Sequence, residues 1–173
     1  MLPTSLKKTK ITYLIGLLFL PILIYGQNPK SELKNELNKI DSIVDLTNRS
    51  EKNYSEGIAE GPIIYKSIFR KNGGWEAYFL YKEQNDNPPL RIKYNEAGYK
   101  TYQKFEFYYQ NGELIFAKLN VEFYRGKRKN KPIEKKYYFK NSKLISESKP
   151  ELENYGFEYI KRTEKTVRKM IYE

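Results

Sequence analysis

The stretch YKTYQKFEFYYQNGELIFAKLNVEFYR, Tyr99 to Arg125, decides the fold. Aromatic and β-branched residues fill two runs, Tyr99 to Gln110 and Glu113 to Arg125, on either side of Asn111-Gly112. Asn-Gly between alternating runs is a strong hairpin signal, because a type I′ turn needs two residues that tolerate positive φ. In the second run Ile115, Ala117, Leu119, Val121 and Phe123 share one face, and Phe116, Lys118, Asn120 and Glu122 the other. One side of the sheet therefore packs while the other is largely wet. Counted outward from the turn, Glu106 opposes Ala117, so Glu122 lies several residues away along the sheet.

Upstream of this hairpin, Ile63 to Phe69 is a β-rich run and Asn72-Gly73-Gly74 a turn. Trp75 to Glu83 alternates, with Trp75, Ala77, Phe79 and Tyr81 on one face, and Leu90, Ile92 and Tyr94 alternate with Arg91 and Lys93. Downstream, Arg125 to Pro132 is a charged loop, and Ile133 to Lys140 and Lys143 to Ser148 form a hairpin around Asn141-Ser142. Asn28 to about Asn48 reads as an amphipathic helix, with Leu33, Leu37, Ile40, Ile43 and Val44 as its stripe. Asn28 is a capping residue and Pro29 suits the first helical position. Asn48 to Gly61 reads as a linker loop. After Pro150 the charge order, Glu151 and Glu153 before Lys161, Arg162, Lys165, Arg168 and Lys169, suits a helix. Tyr155, Phe157 and Tyr159 alternate there as in a strand. The expectation is an α+β fold: an N-terminal amphipathic helix packed on a bent antiparallel β-meander of about six or seven strands, with a C-terminal helix. Segments 27–61, 62–149 and 150–173 would form one domain.

Met1 to Gly26 reads as a secretory signal peptide. Lys7, Lys8 and Lys10 precede the apolar run Ile11 to Leu20, Pro21 follows, and Tyr25-Gly26 offers a small residue before Gln27. The alternative is an uncleaved anchor, but the 15 residues from Ile11 to Tyr25 fall short of the roughly 20 a spanning helix needs. Cleavage would leave 147 residues and reduce the net charge from +11 to +8. The expected location is the periplasm or the exterior, without a lipid anchor, since no cysteine follows the cut.

The chain has no cysteine and no histidine. That removes disulfides, cysteine nucleophiles, Ser-His-Asp triads and ordinary zinc sites. No glycine-rich phosphate loop, G-x-S-x-G or acidic calcium loop is present. No cofactor or metal is expected, and the favoured role is non-catalytic binding. The rivals are an enzyme-inhibitor or immunity-type protein and a hydrolase working through carboxylates.

Tyr108-Tyr109-Gln110-Asn111-Gly112-Glu113-Leu114-Ile115 is echoed thirty positions on by Tyr138-Phe139-Lys140-Asn141-Ser142-Lys143-Leu144-Ile145. These crests, with the N-terminal helix and a leader ending Tyr-Gly-Gln, resemble small secreted β-meander proteins of Bacteroidota. Their rhythm is similar to that of MORN-type and YwqK-like repeats. The resemblance implies a secreted protein and brings no catalytic residues.

Two constellations are candidates for binding. Trp75, Tyr78, Tyr102, Tyr108 and Tyr138 could offer an aromatic sheet face to a glycan or a protein. Arg125, Lys127, Arg128, Lys129 and Lys131 could hold an envelope polyanion at a loop tip. Cross-strand ladders and a solvated tip that blunts a sheet edge are the structural alternatives. Nucleic acid is not expected as the physiological partner of an exported chain, and a membrane only through an uncut leader.

Overall fold

The computed structural model describes residues 29–64, 73–83, 88–98, 100–125, 128–129, 131–149 and 154–172. The expected signal segment and most of the Ile63 to Phe69 run lie outside these residues. The chain divides into two compact units, Met1–Asn38 and Lys39–Glu173. The described part of the first is the opening of helix α1, Pro29–Arg49, which continues into the second. Among the described residues no helix is long and apolar enough to cross a membrane.

Strands β1 (Ser55–Ile63), β2 (Gly73–Tyr81), β3 (Arg91–Ala97), β4 (Thr101–Gln110), β5 (Glu113–Arg125), β6 (Arg128–Lys129), β7 (Ile133–Lys140) and β8 (Lys143–Glu147) follow, then helix α2, Phe157–Tyr172. Seven strands lie in the order β1-β2-β3-β4-β5-β7-β8, all antiparallel, and β6 pairs with the end of β5. The α+β meander with a helix near each end stands as expected.

Two boundaries differ from the sequence reading. Residues 55–61 of the expected linker are the edge strand β1, paired with β2 from Ser55↔Tyr81 to Ile63↔Gly73. Its strand signal is faint because the positions facing the core are Gly57, Ala59 and Gly61. The glycines are required: a β-carbon would stand 2.1 Å from the Phe79 ring at Gly57 and 2.7 Å from the Trp75 ring at Gly61. The second difference is at the C-terminus, where the helix begins only at Phe157. Tyr155, Phe157 and Tyr159 all pack against the main core regardless of their strand-like spacing.

Alternation places Ala77, Ile92, Phe105, Phe107, Leu119, Val121 and Tyr137 in one cluster with Ile160 and Val167 of α2. The opposite face carries a smaller cluster of Tyr108, Ile115 and Phe116 with Ile40, flanked by Ile43, Val44, Tyr138 and Ile145. Both crests supply residues to both clusters. Asn111 and Gly112 have φ of 51° and 82°, and Asn141 and Ser142 have 50° and 60°, as type I′ turns require. Beyond each turn the register shifts. Tyr108 pairs with Phe116 and Tyr109 with Leu114, leaving Ile115 as the extra residue. Tyr138 pairs with Ser146 and Phe139 with Leu144, leaving Ile145. A bulge residue breaks the two-residue alternation. Leu114 and Leu144 therefore pack on the α2 side, and Ile115 and Ile145 on the α1 side. This corrects two expectations: Ile115 does not share the face of Ala117, and Glu106 opposes Lys118.

α1 is fastened to the sheet by Arg91. Its guanidinium, wholly buried, donates to Glu51 at 2.8 and 3.1 Å and to Asn48 Oδ1 at 2.9 Å. Asn48 lies in the last turn of the helix, and Glu51 opens a single 3-10 turn, Glu51–Asn53. The fork of Arg91, with Lys93 3.6 Å away, holds the Glu51 carboxyl down at about 2. A depressed carboxyl stabilises the fold above its ordinary value of 4.5 and ceases to as pH falls towards 2. Thermal melting of the purified chain should therefore show a stability loss across that window that Glu51→Gln lacks. Glu51→Ala should cost about 1–2 kcal/mol at neutral pH, because Arg91 keeps only Asn48 while solvent reaches the exposed side of the pair.

Candidate functional site

The structure separates the expected aromatic face. Tyr108 is buried beneath α1, its hydroxyl donating to Glu106 at 2.7 Å and lying 3.0 Å from Asn48 Oδ1. Tyr138 packs edge-on against Phe116 and donates to Asp41 of α1 at 3.0 Å. Trp75 lies on the α2 side, against the main core and 6.2 Å from Tyr94. Tyr78 and Tyr102 alone of the five occupy the part of the α1-side face that is polar. The row Ile58, Tyr78, Lys93, Glu106 and Lys118 and the row Glu60, Glu76, Asn95 and Lys104 run across it. Glu106 forms an ion pair with Lys118. Glu122 opposes Tyr102, two residue pairs beyond Lys104↔Asn120, so no tight dyad links it to Glu106.

Of the basic loop, Lys127 lies outside the described residues. Arg125 and Arg128 are directly opposed in the backbone register of β5 and β6, and Lys131 is exposed. The expected loop tip is therefore partly a continuation of the hairpin.

A cleft lies elsewhere, between α2 and the two crests. It encloses about 470 Å³, and Gly112 and Ser142 of the crests line its rim. Tyr109, Leu114 and Phe139 form the apolar lining, and Lys161, Arg162, Lys165 and Arg168 come from the helix. Lys161, Lys165 and Arg168 fall at i, i+4 and i+7, so helical periodicity puts them on one ridge. Lys161 Nζ sits 5.3 Å from the Phe157 ring centroid, and the Arg162 guanidinium 5.9 Å from that of Tyr159. These rings support the cations on the helix surface. Glu113 and Glu158 also line the cleft.

Three of the lining residues, Tyr109, Glu164 and Arg168, are joined to one another. Glu164 takes the middle slot of the buried stripe Ile160, Glu164, Val167. It accepts a hydrogen bond from the Tyr109 hydroxyl at 2.8 Å and has Arg168 Nε 3.0 Å away as an ion-pair partner. Burial, with the carboxylate beside it, pushes the Tyr109 hydroxyl well above its ordinary value of 10. Glu164 also lines the cleft, so four cations, Lys161, Arg162, Lys165 and Arg168, stand there beside three carboxylates, Glu113, Glu158 and Glu164, the last engaged by Tyr109 and Arg168. The arrangement can hold an anionic group whose apolar part rests on Leu114 and Phe139. The sequence reading singled out the basic residues of α2 but not Glu164. Its signal was its position, four residues after Ile160 and three before Val167.

Among the described residues no group of three or more acidic side chains could hold a metal ion. No protein-family model matches the chain, and neither a curated protein nor a solved structure matches it.

Tyr109→Phe removes the neutral donor to a buried carboxylate and should lower stability by about 1–2 kcal/mol at pH 7. The raised Tyr109 hydroxyl stabilises the fold below pH 10 and ceases to as pH rises past that value. Phenylalanine cannot ionise, so denaturant titrations should show the gap between parent and variant narrowing above pH 10.

Proposed function

We propose that the chain is an exported, non-catalytic binding protein that holds an anionic envelope component in the cleft between α2 and the hairpin crests. Export rests on the leader-like Met1 to Gly26, and the non-catalytic reading on a sequence with neither histidine nor cysteine. The observation that carries the ligand class is that Lys161, Arg162, Lys165 and Arg168 line a partly apolar cleft and outnumber its carboxylates Glu113, Glu158 and Glu164, the last already engaged by Tyr109 and Arg168. Cations mounted on a packed helix lose little freedom on binding, unlike cations on a loop. An anion with an apolar body, such as an acylated phosphosugar, matches this pairing of charge and hydrocarbon.

The test compares two sets of substitutions for retention on immobilised lipopolysaccharide and on heparin. Replacing Lys161, Arg162 and Lys165 by Gln should weaken lipopolysaccharide binding by roughly tenfold or more at low salt and flatten its salt dependence. Replacing Arg125, Lys127, Arg128 and Lys129 by Gln should leave lipopolysaccharide affinity within about threefold. The opposite ranking assigns the anion to the β5–β6 hairpin and overturns the cleft.

A further inference from the structure

The α1-side face of the sheet contains a second hollow, about 640 Å³, remote in sequence from the helix cleft. Its origin is one cross-strand row. The register pairs Pro62 with Gly74, Gly74 with Ala97, and Ala97 with Tyr102. Pro62 and Tyr102 thus flank the two smallest side chains of the row, which runs on past Tyr102 to Glu122 of β5. The floor is bare backbone over two strands, and strands are about 4.8 Å apart, so the gap accepts a flat ring laid on the sheet.

The next row on the same face is polar throughout: Glu60, Glu76, Asn95, Lys104. Glu60 and Glu76 are directly opposed, an unfavourable like-charge pair across an antiparallel ladder. Glu76 is held in place by Asn95 Nδ2 at 2.8 Å and by the Tyr78 hydroxyl at 3.2 Å. Lys104 Nζ lies 5.3 Å from the Tyr102 ring centroid. Fixed carboxylates accept hydrogen bonds and donate none. A ligand that rests on Pro62 and Tyr102 and turns toward Glu60 and Glu76 must therefore offer several donors along one edge of a compact ring.

We infer that this hollow is a saccharide subsite, taking one neutral pyranose of a glycan chain. Its hydroxyls donate to Glu60 and Glu76 while its C–H face lies against the Tyr102 ring. An anionic sugar is disfavoured by the two carboxylates, and so are the ligands proposed for the helix cleft. The two sites are independent, and each can fail without the other.

Gly74 supplies a clean test. A β-carbon there would meet only the Gly61 carbonyl oxygen, at an ordinary 3.6 Å, and the backbone needs no positive φ. Gly74→Ile should fold at least as well as the parent, since a β-branched residue suits a strand, while its side chain fills the floor. Amide chemical shifts of the full chain are followed during titration with maltotetraose, cellotetraose and tetra-N-acetylchitotetraose. At least one of the three should shift Gly74, Glu76, Asn95 and Ala97 saturably, with an affinity unaffected by salt because no counterion is released. Gly74→Ile should weaken that binding by about tenfold or more, and Tyr102→Ala by roughly fivefold. Lys161→Gln with Lys165→Gln should leave it unchanged. Absence of saturable shifts with all three sugars overturns the inference, as does undiminished binding to Gly74→Ile. So does a salt-sensitive response of the same amides to tetralysine alone, which would make the hollow a site for basic peptide.

Discussion

Ile115 and Ile145 each occupy the extra position of a β-bulge just beyond a type I′ turn, and the architecture follows from that backbone constraint. A regular strand sends consecutive side chains to opposite faces, so it would place Leu114 and Phe116 on the α1 side and Ile115 on the α2 side. The bulge exchanges the first two, seating Ile115 beside Phe116 and turning Leu114 to the α2 side, and the second crest repeats the exchange with Leu144 and Ile145. A fully buried aliphatic or aromatic side chain stabilises a fold by about 1.5–3 kcal/mol. The residues so redirected supply much of what α1 packs against. Without the bulges Ile115 and Ile145 would turn to the α2 side, and Leu114 and Leu144 would take their places under α1 beside Tyr108, Phe116 and Tyr138.

The same constraint explains why binding surfaces occur where they do. The bulges lie at the crest end of the sheet, so the α1-side cluster is confined there, closed off by the Arg91 fork on Glu51 and Asn48. Rows farther from the crests have no redirected apolar residue and keep the polar pattern from Ile58 to Lys118 and from Glu60 to Lys104. On the α2 side the helix crosses beside both turns, which brings Gly112 and Ser142 into the lining of the cleft. The internal echo thus does structural and topographic duty together: it sets two turns, two bulges and one wall of a cleft.

Much of this was legible from residues. The Asn111-Gly112 hairpin, the meander, both helices and the stripe containing Ile40 and Val44 follow from turn chemistry and periodicity. What escaped did so for definable reasons. The bulges were hidden because Leu-Ile after a turn is compatible with either register, and counting outward assumes none is skipped. β1 was hidden because Gly57 and Gly61 look like a loop until the rings of Phe79 and Trp75 are seen to lie over them. Arg91, Lys135 and Glu164 are buried polar residues whose partners, Glu51, Glu147 and Tyr109, are distant in sequence. Pairings of that range leave no local pattern. The basic residues of α2 were visible as a set, but their cleft needed the crests brought beside them. Tyr108 and Tyr138 were expected on an open face because their partners in α1, Asn48 and Asp41, are 60 and 97 positions away.

The bulges are best tested by methyl-resolved nuclear Overhauser contacts in a sample labelled at isoleucine, leucine and valine. Ile115 and Ile145 should show cross-peaks to the methyls of Ile40, Ile43 or Val44. Their immediate neighbours Leu114 and Leu144 should instead reach side chains of the cluster under α2. Cross-peaks from Ile115 or Ile145 to Ile160 or Val167 would restore regular alternation through the crests and contradict the bulges.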